Sequence, residues 1–328
     1  MLTEFIKTDP DNIDMELIAR AADCICRGGL VVFPTETVYG LGADAFNFDS
    51  VGKIFQAKGR AADNPLIAHV SDIEQVNELV RRVPEKARIL MERFWGGPLT
   101  LILERKPTVP DVVTAGLNTV AVRMPSHSVA HELIRAAKCP IAAPSANISG
   151  SPSPTTAQDC LRDLDGRVDM IIDAGASPIG LESTVLDMTA EVPVILRPGA
   201  VTPEMLRDVL GDVRFGEESS DIPKCPGMKY THYSPAAEVI AVRDIRSFTA
   251  TASLGDTDAV ISFSRDRTEQ NFFDAGEDCA SYAARLFYLL RRCDDSGMKR
   301  IYAYLPPSRG IGAALRNRLL KSSGGRVI

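Results

Sequence analysis

One stretch restricts this chain more than any other: GGLVVFPTETVYGLGADAF at 28–46, with KIFQAKGR at 53–60 and NPLIAH at 64–69 close behind it. The apolar run 28–33 reads as a buried strand, and Pro34 stops its ladder because proline has no N–H to donate. Thr35, Glu36, Thr37, Tyr39, Gly40 and Gly42 then read as a strand-end loop, where α/β folds place ligands. Lys53 and Lys58 fall near the end of a helix over 50–57, Gly59 stops it, and Arg60 follows. Cations beside a hydroxyl-rich loop suit phosphate and a small polar substrate.

The same alternation continues through 1–212. Strands are expected at 30–33, 66–69, 99–103, 120–123 and 141–143, and helices at 14–27, 50–57, 72–79, 84–94, 129–137 and 157–164. Such a series predicts an α/β domain on a mixed, twisted sheet. Residues 214–235 show neither periodicity, and a run that long in a compact protein is a disordered linker or a functional loop. Met228, Tyr230, His232 and Tyr233 are contact residues more than linker residues. A linker over 213–236 that makes contacts of its own is therefore expected. From 237 to 328 the runs EVIAV, AVISF and RIYAYLP alternate with helical spacing over 278–293 and 310–321. This predicts a small Rossmann-like domain without the G-x-G-x-x-G of a dinucleotide site.

Charge divides unevenly. Residues 1–215 hold 21 Lys and Arg against 29 Asp and Glu, a net of −8, while 216–328 hold 16 against 14, a net of +2. An acidic first domain is a poor constitutive nucleic-acid binder, although a local basic pocket still suits a triphosphate. The seven cysteines include no Cys-X-X-Cys pair and read as reduced, mostly buried thiols. No apolar run approaches the ~20 residues of a membrane span, and the acidic start MLTEFIKTDPDNID is no signal peptide, so a cytoplasmic protein is expected.

No Walker sequence occurs, so phosphate ligands are sought among Lys58, Arg60, Arg123 and Arg197, the last two at the ends of apolar strands. APSANISG carries Ser145 and Asn147 in a polar loop after a strand. Ser153 and Thr155 lead into the helix at 157–164, either as an anion site or as plain capping. His69 ends the strand LIAH and on spacing alone is a core-edge residue. His127 and His131, four apart, lack the glutamate or third ligand of a metal site. Glu182-Ser183-Thr184 has no G-x-S-x-G context and suits a binding hydroxyl better than a nucleophile.

Together with TVAVRMP (119–125), APSANISGSPSPT (143–155), ESTVLD (182–187), LRPG (196–199) and KYTHYSP (229–235), the opening motifs resemble the YrdC-type L-threonylcarbamoyladenylate synthases in their two-domain form. The resemblance spans nearly the whole chain in order. It implies a YrdC-like domain with an open basic cavity. The implied reaction condenses L-threonine, bicarbonate or CO2 and ATP to threonylcarbamoyl-adenylate and pyrophosphate. In the family this product feeds a separate tRNA threonylcarbamoyl transferase that modifies the adenosine beside the anticodon. The resemblance places threonine on Thr37, His69, Arg123, the backbone around Ala143, and Ser183. It places ATP on Lys58, Arg60, Asn64, Thr119, Ser145, Ser153 and Arg197, with His232 and Tyr233 closing over the nucleotide and Mg2+ accompanying ATP. Ala61 stands where many relatives carry proline, which bears on loop stiffness. Two other readings stand beside it: carbamoyl transfer as in hydrogenase maturation proteins, whose zinc-finger and acylphosphatase-like modules are missing from this sequence, and a non-catalytic double-stranded RNA-binding or ribosome-maturation role.

Overall fold

Residues 2–216, 233–266 and 271–328 are described by the structure, a computed structural model, and they build two sheets. The first contains β1 (Glu4–Lys7), β2 (Val31–Phe33), β3 (Gly40–Asp44), β4 (Ile67–His69), β5 (Leu99–Glu104), β6 (Thr119–Arg123), β7 (Ile141–Ala143), β8 (Met170–Asp173), β9 (Thr184–Asp187), β10 (Val194–Arg197) and β11 (Arg214–Phe215). Its order is β1-β8-β2-β3-β7-β4-β6-β5-β9-β10-β11. Parallel pairs such as β4 with β6 and antiparallel pairs such as β5 with β6 occur side by side, so the sheet is mixed. Around it lie α1 (Met15–Cys26), α2 (Phe48–Lys58), α3 (Ile73–Leu79), α4 (Glu85–Phe94), α5 (Asp111–Thr114), α6 (Ser128–Ala137), α7 (Ala157–Leu164) and α8 (Pro203–Leu210).

The helices form where the apolar spacing places them. In α1 the Asp14 side chain caps the amides of Glu16 and Leu17, and Ile18, Ala21, Ala22 and Ile25 are buried along one face. The structure departs from the sequence reading at Gly40 and Gly42. They lie not in a loop but in β3, which pairs antiparallel with β2 in the register Val31 with Gly42 and Phe33 with Gly40. A Cβ at Gly42 would stand 2.7 Å from both Ile141 Cγ2 and Phe33 Cε1. Glycine is what admits the Phe33 ring beside the strand. The ligand loop therefore shrinks to 34–39.

Strand alternation gives the sheet one face on the main apolar core and a second face, which α1 and α6 cover over β2, β7 and β8 and which is open beyond them. Ala68, Leu101, Val122 and Ala142 point into the main apolar core, whereas Ile67, Ile102, Ala121 and Val185 form a small cluster on the opposite side. His69 and Arg123, in register with each other on β4 and β6, share that opposite side.

The second sheet holds β12 (Glu238–Val242), β13 (Asp258–Ser262), β14 (Phe272–Asp274) and β15 (Arg300–Tyr304), with α9 (Ile245–Thr251), α10 (Cys279–Asp295) and α11 (Gly312–Ser322). All its pairings are parallel and its order is β12-β15-β13-β14. The last strand is thus inserted beside the first, unlike the sequential half-sheet of dinucleotide folds. The Rossmann-like expectation extends to the parallel alternation and not to the strand order. The linker expected over 213–236 begins later than its first residue: β11 pairs with β10, so residues 214–215 complete the first sheet. The body of that linker, with His232, lies outside the described residues.

Candidate active site

The open face of the first sheet carries a cavity lined by Thr35, Thr37, Ile67, His69, Arg123, Ala143, Ser145, Ser153, Ser183 and Arg197, with Arg60, Glu182 and Tyr233 at its margins. Three arginines line it against one carboxylate. The sequence-predicted threonine set, Thr37, His69, Arg123, Ala143 and Ser183, converges here completely. Of the predicted ATP set, Arg60, Ser145, Ser153, Arg197 and Tyr233 are present.

Arg123 is 3% exposed and already held on three sides. Its Nη2 donates to Glu36 Oε1 at 2.7 Å, its Nη1 to Thr37 Oγ1 at 2.9 Å and its Nε to Gly97 O at 3.3 Å. A guanidinium has five N–H groups, so two remain for a substrate anion. Glu36, itself 5% exposed, also accepts from the amide of Ser126 at 3.2 Å. The 35–38 loop is folded by Thr35, whose Oγ1 donates to Val38 O at 2.6 Å and lies 2.8 Å from Thr37 Oγ1. Arg123 and Thr37 are thus delivered as a preset pair.

His69 is a neutral ring. Burial, then the Arg123 charge, lowers its pKa to about 3, against the smaller opposing pull of backbone carbonyls. Its Nδ1 faces Ile67 O at 3.1 Å and its ring meets Phe33 edge-on at 6.1 Å. Neutrality matters, because a second cation beside Arg123 would be costly in a buried site. Across the cavity Ser183 Oγ lies 2.7 Å from Thr100 Oγ1 and accepts from Arg197 Nη2 at 3.1 Å. Arg197 Nε donates to Ser183 O at 3.1 Å.

Three predicted ATP ligands do not line the cavity. Lys58 is 1% exposed, and its Nζ donates to Ser145 O, Asn147 O and Asn147 Oδ1. Burial, helped by Arg60, pulls its pKa well below that of a free lysine, yet three acceptors are what an ammonium can satisfy. Lys58 fastens the polar loop after β7 instead of lining the cavity. Thr119 shares the open face with Arg123 but stands four residues away at the other end of β6, about 13 Å along the strand. There it lines a separate hollow with Arg81, Glu104 and Asn118. Asn64, 1% exposed, lies behind Arg60, whose Nη2 donates to Asn64 O at 3.3 Å. Of the two paired histidines, His127 Nδ1 accepts from the Val129 amide at the start of α6, and His131 Nε2 meets Ser71 O at 3.0 Å.

Glu182 is the acidic residue of the cavity wall. Its Oε1 accepts from Ser153 Oγ at 2.5 Å and its Oε2 from Arg318 Nε at 2.9 Å. Burial alone would push its carboxyl up, but Arg318, then Arg197 and the Ser153 hydroxyl, hold it below the ordinary value. Tyr233 closes one side with its backbone in the left-handed region (φ 65°) and its ring stacked on Phe287 at 5.1 Å.

Comparison with known proteins finds relatives along nearly the whole chain. Residues 23–199 match the Sua5–YciO–YrdC family, described as "Telomere recombination", and residues 201–324 match "Threonylcarbamoyl-AMP synthase, C-terminal domain". The threonylcarbamoyl-AMP synthases of Pyrococcus abyssi and Bacillus subtilis are 45% and 44% identical, over 97% and 98% of this chain and 97% of each relative. The chain belongs to this threonylcarbamoyl-AMP synthase family, in its two-domain form. A crystal structure of P. abyssi Sua5 complexed with L-threonine covers 99% of both chains at 45% identity, with a TM-score of 0.93. Escherichia coli YciO, 26% identical with a TM-score of 0.55, covers 60% of this chain and 96% of its own.

The second family segment starts at 201, whereas Leu206 of α8 packs into the first core. Sequence reasoning placed Glu36 in the ligand loop and Glu182 beside Ser183 but gave neither a role. Arg318 was missed entirely. Its position on a helix of the second unit carried no local signal, since its partner Glu182 is 136 residues away.

Proposed function

We propose that the cavity condenses L-threonine, bicarbonate or CO2 and ATP into threonylcarbamoyl-adenylate and pyrophosphate, the adenylate then serving tRNA modification through a separate transferase. The observation that supports this most is the convergence of Thr37, His69, Arg123 and Ser183 with Arg60, Ser145 and Arg197 on one cavity. Threonine lies with its carboxylate toward the two remaining Arg123 N–H groups and its hydroxyl among Thr37, His69 and Ser183. The neutral imidazole adds no charge that would oppose a neutral substrate amine. That amine takes up CO2 as a carbamate, losing one proton, and a carbamate oxygen displaces pyrophosphate from the α-phosphorus. Arg197 and Arg60 face the charge that builds on the phosphates.

The protein supplies positioning and charge, not a covalent intermediate. Magnesium expected with ATP meets no carboxylate set: Glu182 is already held by Arg318 and Ser153, and no cluster of three His, Cys, Asp or Glu suited to a metal occurs among the described residues. The reading is tested with 13C-bicarbonate, ATP and threonine by mass spectrometry. The label is expected in a threonine–adenylate adduct, and an unlabelled adduct, or none, overturns it.

A further inference from the structure

We infer that Arg318, contributed by the second unit, is a positioning residue for the nucleotide side of the cavity. It neutralises Glu182, so that this carboxylate neither repels a polyphosphate nor draws Arg197 away from it. The inference rests on the proposed function only in taking a polyphosphate as the ligand.

Arg318 is fully buried on α11, yet it reaches both segments that carry cavity hydroxyls and cations. Its Nε donates to Glu182 Oε2, immediately before Ser183, and its Nη1 donates at 3.0 Å to Pro198 O, immediately after Arg197. Its guanidinium also lies 5.6 Å from the Tyr233 ring centre. The residue does not itself line the cavity. One guanidinium thus fastens two strand-end segments that face the substrate, and it comes from outside the domain that does the chemistry.

The charge balance explains why an arginine is used there. Glu182 is 7% exposed and fixes the Ser153 hydroxyl. Without Arg318 the carboxylate would stay buried with Arg197 as the next cation in reach. Arg197 now donates to Ser183 O and Oγ. Turning toward Glu182 would remove its charge from the cavity, and the cavity would lose anion affinity without losing any residue that touches substrate.

The test uses the full chain and four variants: Arg318→Ala, Arg318→Lys, Arg318→Met, and Arg318→Ala with Glu182→Gln. ATP dependence of pyrophosphate release is measured at saturating threonine and bicarbonate, and inorganic tripolyphosphate affinity by calorimetry, both at pH 6 and pH 8. Arg318→Ala is expected to raise the KM for ATP at least tenfold at pH 8 while kcat falls less than threefold. Tripolyphosphate should weaken in parallel. Part of the loss should return at pH 6, because an uncompensated buried carboxyl titrates upward and its protonated form carries no charge. Arg318→Lys should stay within threefold of the natural chain, and the double variant should recover to the same range. Arg318→Met, which keeps the packing without the charge, supplies the comparison if the alanine variant does not fold.

A double variant as weak as Arg318→Ala, or an unchanged KM in Arg318→Ala and Arg318→Met, overturns the inference. Should the natural chain not turn over ATP, the proposed reaction fails, while the tripolyphosphate series still reads the charge compensation. A natural chain that binds no tripolyphosphate overturns the compensation itself.

Discussion

Arg123 and Glu36 set the residue scale, because each is buried and each depends on the other. Arg123→Ala should lose threonine affinity and also destabilise the fold by about 3–5 kcal/mol, since it leaves Glu36 as a buried, uncompensated carboxylate. Adding Glu36→Gln should restore most of the melting temperature and none of the threonine affinity. Recovery of both would assign Arg123 to structure alone. His69 gives a pH signature. Its folded pKa of about 3 lies below the ~6.5 of an unfolded histidine, so the unfolded chain binds the extra proton between those values. Stability should therefore fall as pH drops below ~6.5, by up to ~1.4 kcal/mol per pH unit, until about pH 3. His69→Asn should flatten that limb in denaturant titrations, and parallel losses in both proteins would refute the assignment. The residues in direct line with the cavity were legible because they sit in motifs. Their fixers were not: Glu36 lies 87 residues from Arg123, and such pairings leave no local pattern.

Elements were legible wherever apolar spacing is regular, as in α1, α6 and β5, because one buried face dictates the period. β3 was not, since Gly40 and Gly42 show no alternation of side chains. They are shaped by the Phe33 ring beside them. That contact makes a pair of opposite predictions. Gly42→Ala pushes a methyl against Phe33 and Ile141 and should cost about 1–3 kcal/mol. Gly52→Ala, inside α2 with nothing within 4 Å of the new methyl, should gain about 0.5–1 kcal/mol. Thermal melts of the two variants should move in opposite directions. Equal shifts would mean that β3 is not packed against β2 as described.

At the scale of the whole molecule, the second unit is bound to the first through buried arginines. Arg291 of α10, 6% exposed, makes two hydrogen bonds to Asp163, at 3.0 and 2.7 Å, and two to Pro152 O. Gly180 lets α10 approach so closely that a Cβ there would stand 2.5 Å from Ala283 O. Arg291→Ala should cost about 3–5 kcal/mol, whereas Arg292→Ala, from an exposed pair with Asp295, should cost at most about 1. Differential scanning calorimetry should show the difference, and similar losses would mean that the two units are not joined by this pair. Such long-range joins could not be read from spacing, whereas the segments that meet in the cavity are ones that carry the family motifs. Pyrophosphate release by the full chain, with each substrate omitted in turn, tests the central claim most directly. Release is expected only when threonine, bicarbonate and ATP are all present, with serine a weaker substitute for threonine because one lost methyl is worth only ~1–3 kcal/mol. ATP turnover that ignores threonine or bicarbonate would contradict the reading of the cavity.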